Sequence, residues 1–370
     1  MKRAIQILLT FLVILPVYAF DMSDEDSEVF EHFYNYRFDE TIAYLESKIR
    51  TSDYPYPYYA FLSYADIRLR LANAEYDSLD IKADAMIRKY RPHFETYLQE
   101  HPEDVDAQFY YTVLLGGKMR IYLQEMKYFA IIKEGPKILS NKITIDHYAD
   151  EPYADLDFGT GSFDYYLSVI GRNAGFEILS KKPQSNGIDD LWNAYRHAKF
   201  TDREAAIALM YIYLYDKTDY EQCESLCKDF LSKYPDNLEV LAIASENAFR
   251  RKRWLEGNRY LRHVERLLNK DILHNDKGWR SRVNYLKGIR AMLKDDHAEA
   301  LNYLNKVFEK DAIEYSWYRA IVPKYIADIY MDMGLKRTAE LYYKKAVDSN
   351  EMIPHVREAK DTLKNLRKME

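Results

Sequence analysis

The residues of this chain that could carry out chemistry are scattered rather than gathered. Nine histidines are spread from His32 to His355, and no His-Glu-x-x-His run sets two imidazoles on one helical face for zinc. No Gly-x-Ser-x-Gly elbow or phosphate-cradling loop is present. The spacing Asp155-x-Asp157-x-Gly159-x-Gly161 matches the start of a calcium loop, but the bidentate Glu that should close it would fall at Tyr166. Carboxylates at a helix N-terminus, followed by glycines for close packing, account for the same residues. Cys223 and Cys227 lie four apart on one helical stripe. That spacing holds Cβ atoms about 5–6 Å apart, beyond the ~3.8 Å of a disulfide, so buried inert thiols are expected. No catalytic residue, metal or cofactor is expected.

Two patterns suit binding instead. Residues 250–294 hold 14 Lys and Arg against 4 Asp and Glu, densest at Arg250-Arg251-Lys252-Arg253-Trp254. Guanidinium forks beside an aromatic ring suit an acidic peptide, a carboxyl terminus or a phosphorylated glycan. The plainer reading is a solvated turn whose Trp packs inside a helix pair. Tyrosine is abundant, 35 residues against 16 Phe. Its rings serve either as platforms for a sugar or small ligand, or as core packing with hydroxyls reaching a wet edge.

Helices must position these groups. Only 12 Gly and 11 Pro in 370 residues, with few alternating β-branched runs, predict helix nearly throughout. Residues 1–19 read as a signal peptide, with Lys2 and Arg3, an apolar run over 4–17 and Val17-Tyr18-Ala19 at the cleavage point. The run, broken by Pro16, falls short of the ~20 residues of a spanning helix. Cleavage, export to the periplasm or beyond, and no stable membrane insertion are therefore expected. Without Lys2 and Arg3 the chain carries 51 basic and 59 acidic residues, which gives no reason to expect nucleic acid.

Residues 204–237 and 238–271 echo one another at a period of 34, which marks stacked helix pairs. Thr201 with Glu204, and Thr218 with Glu221, read as capping boxes, and Asp236 with Glu239 repeats the device. Residues 281–314 keep Gly288 and Ala300-x3-Leu304, while 320–353 keep Ile326-Ala327, Tyr330, Gly334, Ala339, Tyr343 and Ala346. Upstream, 27–50 forms one pair, 57–104 an expanded unit, and 105–148 a pair with Gly116-Gly117 at or near its turn. The division expected is 20–170 for divergent helical repeats and 171–370 for regular repeats. A bend is expected near 171–188, where Gly171, Gly175, Pro183 and Gly187 accumulate, and a capping helix from Pro354.

These repeats resemble the tetratricopeptide family. Over roughly 100–240, Gly159-Thr160-Gly161 and Asp164-Tyr165-Tyr166-Leu167-Ser168 resemble a set of exported bacterial tetratricopeptide proteins, a likeness that implies no activity. The resemblance implies an all-α, right-handed superhelical solenoid of antiparallel helix pairs whose first helices line a concave groove. Mapped so, the groove carries Ala208, Ile212 and Tyr215, then Glu239, Ala242, Glu246 and Phe249, then Arg282, Tyr285, Ile289 and Met292, then Ile321, Lys324 and Asp328. Phe249, Arg250, Arg253, Trp254, Arg282, Tyr285, Lys324 and Asp328 are the expected contacts for a protein or peptide segment, an acidic one included. The Lys and Asn pair of the carboxylate-clamping subgroup is absent.

A non-catalytic scaffold or adaptor of the bacterial cell envelope is the first expectation. The alternative is a soluble receptor for a glycan or other small ligand, favoured by a deep pocket with three or more converging aromatics. A third, an enzyme resembling the α-superhelical lytic transglycosylases, lacks room after residue 370 for a catalytic module.

Overall fold

A computed structural model describes residues 24–75, 79–124, 127–174, 184–308, 318–349 and 353–366. The expected signal peptide, and Gly175 and Pro183 of the expected bend, lie outside these residues. Among the described residues there is no strand, and no helix is long and apolar enough to cross a membrane. The first helices are α1 (Asp24–Tyr34), α2 (Phe38–Thr51), α3 (Tyr56–Ala72), α4 (Leu79–Glu100), α5 (Val105–Gln124) and α6 (Tyr128–Tyr148). The middle holds α7 (Asp155–Ala174), α8 (Gln184–His197), α9 (Asp202–Tyr211, extended by the π-turn Ile212–Asp216) and α10 (Tyr220–Lys233). Then follow α11 (Leu238–Arg250), α12 (Trp254–Leu268), α13 (Lys277–Met292), α14 (His297–Phe308), α15 (Tyr318–Asp332), α16 (Lys336–Asp348) and α17 (Pro354–Leu366).

Helix pairs pack along the chain in an all-α solenoid, and α9/α10, α11/α12, α13/α14 and α15/α16 fall on the four expected repeats, though their first helices start 36, 39 and 41 residues apart rather than at a constant 34. Small residues set the crossings. A Cβ on Gly257 would lie 2.5 Å from the Phe249 ring, and one on Gly288 would lie 2.8 Å from Leu304. Val356, Ala359 and Leu363 of α17 are buried against α15 and α16, which ends the stack as a capping helix should.

The turns inside five of the pairs follow one recipe. The residues Tyr36, Ala74, Lys252, Asp295 and Gly334 all have φ between 55° and 75°. The next amide in each case bonds back five residues, as in Arg37 to His32 O (2.9 Å), Glu75 to Arg70 O (2.8 Å) and Arg253 to Ala248 O (2.8 Å). This is the Schellman ending, which satisfies carbonyls left open by the helix. Both the divergent N-terminal pairs and the regular C-terminal ones use it.

The predicted capping boxes do not form. Thr201 makes no cap bond, and Asp219 rather than Thr218 caps α10, accepting from the Gln222 amide (3.1 Å). Asn237 rather than Asp236 caps α11, accepting from the Val240 amide (2.9 Å). Glu204 and Glu239 instead turn inward as buried side chains facing Arg68 of α3. Gly116 and Gly117 sit inside α5, not at a turn. A Cβ on Gly117 would lie 2.9 Å from Ile67, so close packing explains that glycine.

The N-terminal helices lie against the C-terminal repeats. Tyr34 of α1 packs its ring on Phe230 of α10 and on Tyr234 just after that helix, at centroid distances of 5.8 and 5.1 Å. The Asn237 amide donates to the Tyr34 carbonyl (2.7 Å), and Tyr36 meets Trp279 of α13 edge-on at 5.9 Å. Arg68 reaches Glu239 of α11 at 3.0 Å. The chain thus folds its own first helices onto α9, α11 and α13.

Candidate ligand cavity

The residues expected on a partner-binding groove hold one another. Phe249, Arg282 and Tyr285 are buried. Arg282 donates to the Tyr211 hydroxyl (3.2 Å), which donates to Glu239 (2.9 Å). Glu246 accepts from Tyr215 (2.5 Å), Tyr285 (3.2 Å) and Arg250 (2.6 Å). Arg250 also donates to Tyr325 (2.9 Å), whose hydroxyl lies 3.2 Å from His355 Nε2. Burial is the main force on that imidazole and pushes it down to about 4, so it is neutral at pH 7. Lys324 pairs with Asp328 (2.9 Å) and Glu358 (3.0 Å).

The basic run divides at the turn between α11 and α12. Arg250 points inward, while Arg251 and Arg253 pair with Glu224 of α10 on the other side. Trp254 stacks on Phe249 at 6.3 Å under the Lys294 ammonium. Cys223 and Cys227 are buried free thiols, and no group of three His, Cys, Asp or Glu among the described residues is placed to hold a metal ion.

Open space lies elsewhere, in the N-terminal half. Several helices each turn one stripe, at i, i+3, i+4 and i+7 spacing, toward a cavity of about 250 Å³ that is partly open to solvent. From α1 come Val29, Phe30, Phe33 and Tyr34, and from α2 Thr41 and Leu45. Helix α3 adds Phe61, Tyr64 and Ala65. Phe109, Thr112, Val113 and Gly116 form the stripe of α5, and Asp155, Leu156, Gly159, Ser162, Phe163 and Tyr166 that of α7. Phe200, Thr201 and Glu204 close it.

Ten lining residues are Phe or Tyr, and their rings brace one another. Phe109 stacks on Phe200 at 5.7 Å, Phe61 tilts against Phe200 at 5.8 Å, and Phe30 meets Phe61 edge-on at 5.2 Å. Phe163 leans over Gly135, where a Cβ would lie 2.5 Å from the ring. Gly159 is different. A Cβ there would meet nothing within 4 Å, so this glycine faces space rather than a neighbour.

Two carboxylates reach the wall, and both are held by donors. Asp155 accepts from the amides of Lys199 (3.0 Å), Phe200 (2.8 Å) and Thr201 (2.8 Å), which ties the start of α7 to the entry into α9. The Thr201 hydroxyl, free of its predicted capping role, also lies 3.1 Å from Asp155. Glu204 accepts from the Tyr34 phenol (3.3 Å) and lies 3.9 Å from Arg68. Burial, then the Glu204 charge, holds that phenol well above its ordinary range, so it stays a donor.

None of the eight residues expected to bind a partner lines this cavity. Its wall takes in two stripes, 109–116 and 156–166, in which glycines interrupt apolar residues at helical spacing, a pattern that ordinary core helices share. No protein-family model matches this chain, and comparison with curated proteins finds no match.

Proposed function

We propose that this protein is a non-catalytic, exported receptor or carrier for a small apolar ligand, held between its N-terminal helices. The cavity carries the reading. Protein interiors pack at crystal density, with few voids larger than a water molecule. An empty apolar void costs about 24 cal/mol per Å³, so 250 Å³ left dry would cost roughly 6 kcal/mol, comparable with a whole domain's stability. Solvent access lowers that figure, but water gains little from ten aromatic side chains. A bound apolar molecule removes the penalty. The volume sits just under the ~300 Å³ at which ordinary small-molecule sites begin.

The envelope scaffold stays a proposal of weaker support, because the residues mapped to its groove already face partners within the chain. The test uses N-phenyl-1-naphthylamine, an uncharged dye that brightens on leaving water. Wild-type protein should bind it saturably. Gly159→Leu, which adds a side chain at an exposed lining position where a Cβ meets no neighbour, should weaken binding about tenfold or more while keeping the helical circular dichroism signal and melting temperature. Equal binding by a folded Gly159→Leu variant, or no saturable binding by wild type, contradicts the proposal.

A further inference from the structure

We infer that the cavity selects an uncharged ligand and rejects both carboxylate- and ammonium-headed molecules of the same length. This rests on the cavity being a ligand site.

An anion would meet Asp155 and Glu204, and among the described residues lining the cavity there is no Lys, Arg or His to pair with it. Burying an unpaired charge costs several kcal/mol or neutralises the group, so a carboxylate head is excluded. A cation fares little better, because both carboxylates are already engaged. To reach Asp155 it would displace the amides of Lys199, Phe200 and Thr201 that position the entry into α9, and to reach Glu204 it would compete with Tyr34 and Arg68. A neutral hydroxyl is accommodated. Thr41 donates its own proton to the Arg37 carbonyl (2.8 Å) and so offers the cavity lone pairs that accept one.

Displacement of N-phenyl-1-naphthylamine from the full chain at pH 8 tests this with four ten-carbon chains: decan-1-ol, methyl decanoate, decanoate and decylammonium. At that pH the acid is ionised and the amine protonated. Decan-1-ol and methyl decanoate should each displace the dye at concentrations at least about tenfold lower than either ion. Decanoate or decylammonium competing as well as decan-1-ol overturns the selectivity while leaving the receptor reading intact. Failure of the dye itself to bind saturably, or its equal binding to Gly159→Leu, removes the receptor reading and this inference together. If Gly159→Leu does not fold, competition by the two neutral chains on wild type decides the matter: displacement supports the inference, and none overturns it.

Discussion

Arg68 and His355 mark the two ends of a buried polar seam. Arg68 faces Glu204 and Glu239 from another part of the chain, where an ordinary hydrophobic contact would cost less desolvation. What the charges add is register, because only one placement of α3 lets one guanidinium meet both carboxylates. At the other end, Glu246, Arg250, Tyr325 and His355 form a chain of bonds among α11, α15 and α17. The imidazole faces Glu358, Lys324, Arg250 and Glu246. Unfolded, it binds a proton near pH 6.5, but folded only near pH 4, so the unfolded state takes up more protons between those values. Stability should fall as pH drops through this window. Urea midpoints at pH 7.5 and 5 should differ more for wild type than for His355→Gln, and an equal loss in both would place the effect elsewhere.

At the scale of elements, the recurring αL residue of the Schellman turns makes a sharper prediction than the repeat itself. A left-handed conformation costs a non-glycine residue about 1–2 kcal/mol. Lys252→Gly should therefore raise stability by about 1 kcal/mol, and Gly334→Ala, whose Cβ meets no neighbour, should lower it by a similar amount. Denaturant unfolding with unchanged slope checks both. These turns also explain how far the sequence could be read. Helix, pairing and the C-terminal cap were legible because apolar residues recur at helical spacing and Gly257 and Gly288 fall where helices cross. The turns were less so, since of the five Schellman turns only Gly334 advertises its conformation. The capping boxes misled for a physical reason: Glu204 and Glu239 gain more from Arg68 across the interior than from a nearby amide.

For the molecule as a whole, the arrangement of α1 to α3 decides where space remains. They pack on α9 to α13, with Arg68 paired to Glu239 of the mapped groove, and together with α5 and α7 they surround the aromatic cavity. That cavity was not legible in the sequence. Its wall is drawn from helices far apart in the chain, and each contributes a stripe that reads locally as ordinary core. Spacing alone cannot tell a glycine that admits a neighbouring helix from one that, like the exposed Gly159 among the lining residues, meets no neighbour. The most direct measurement is a crystal structure of the protein grown with decan-1-ol. Continuous density for the alcohol's chain is expected between Phe33, Phe109 and Gly159, with the ring contacts around Phe200 unchanged. Side chains closed over that space, or the alcohol bound only on the surface, would contradict it.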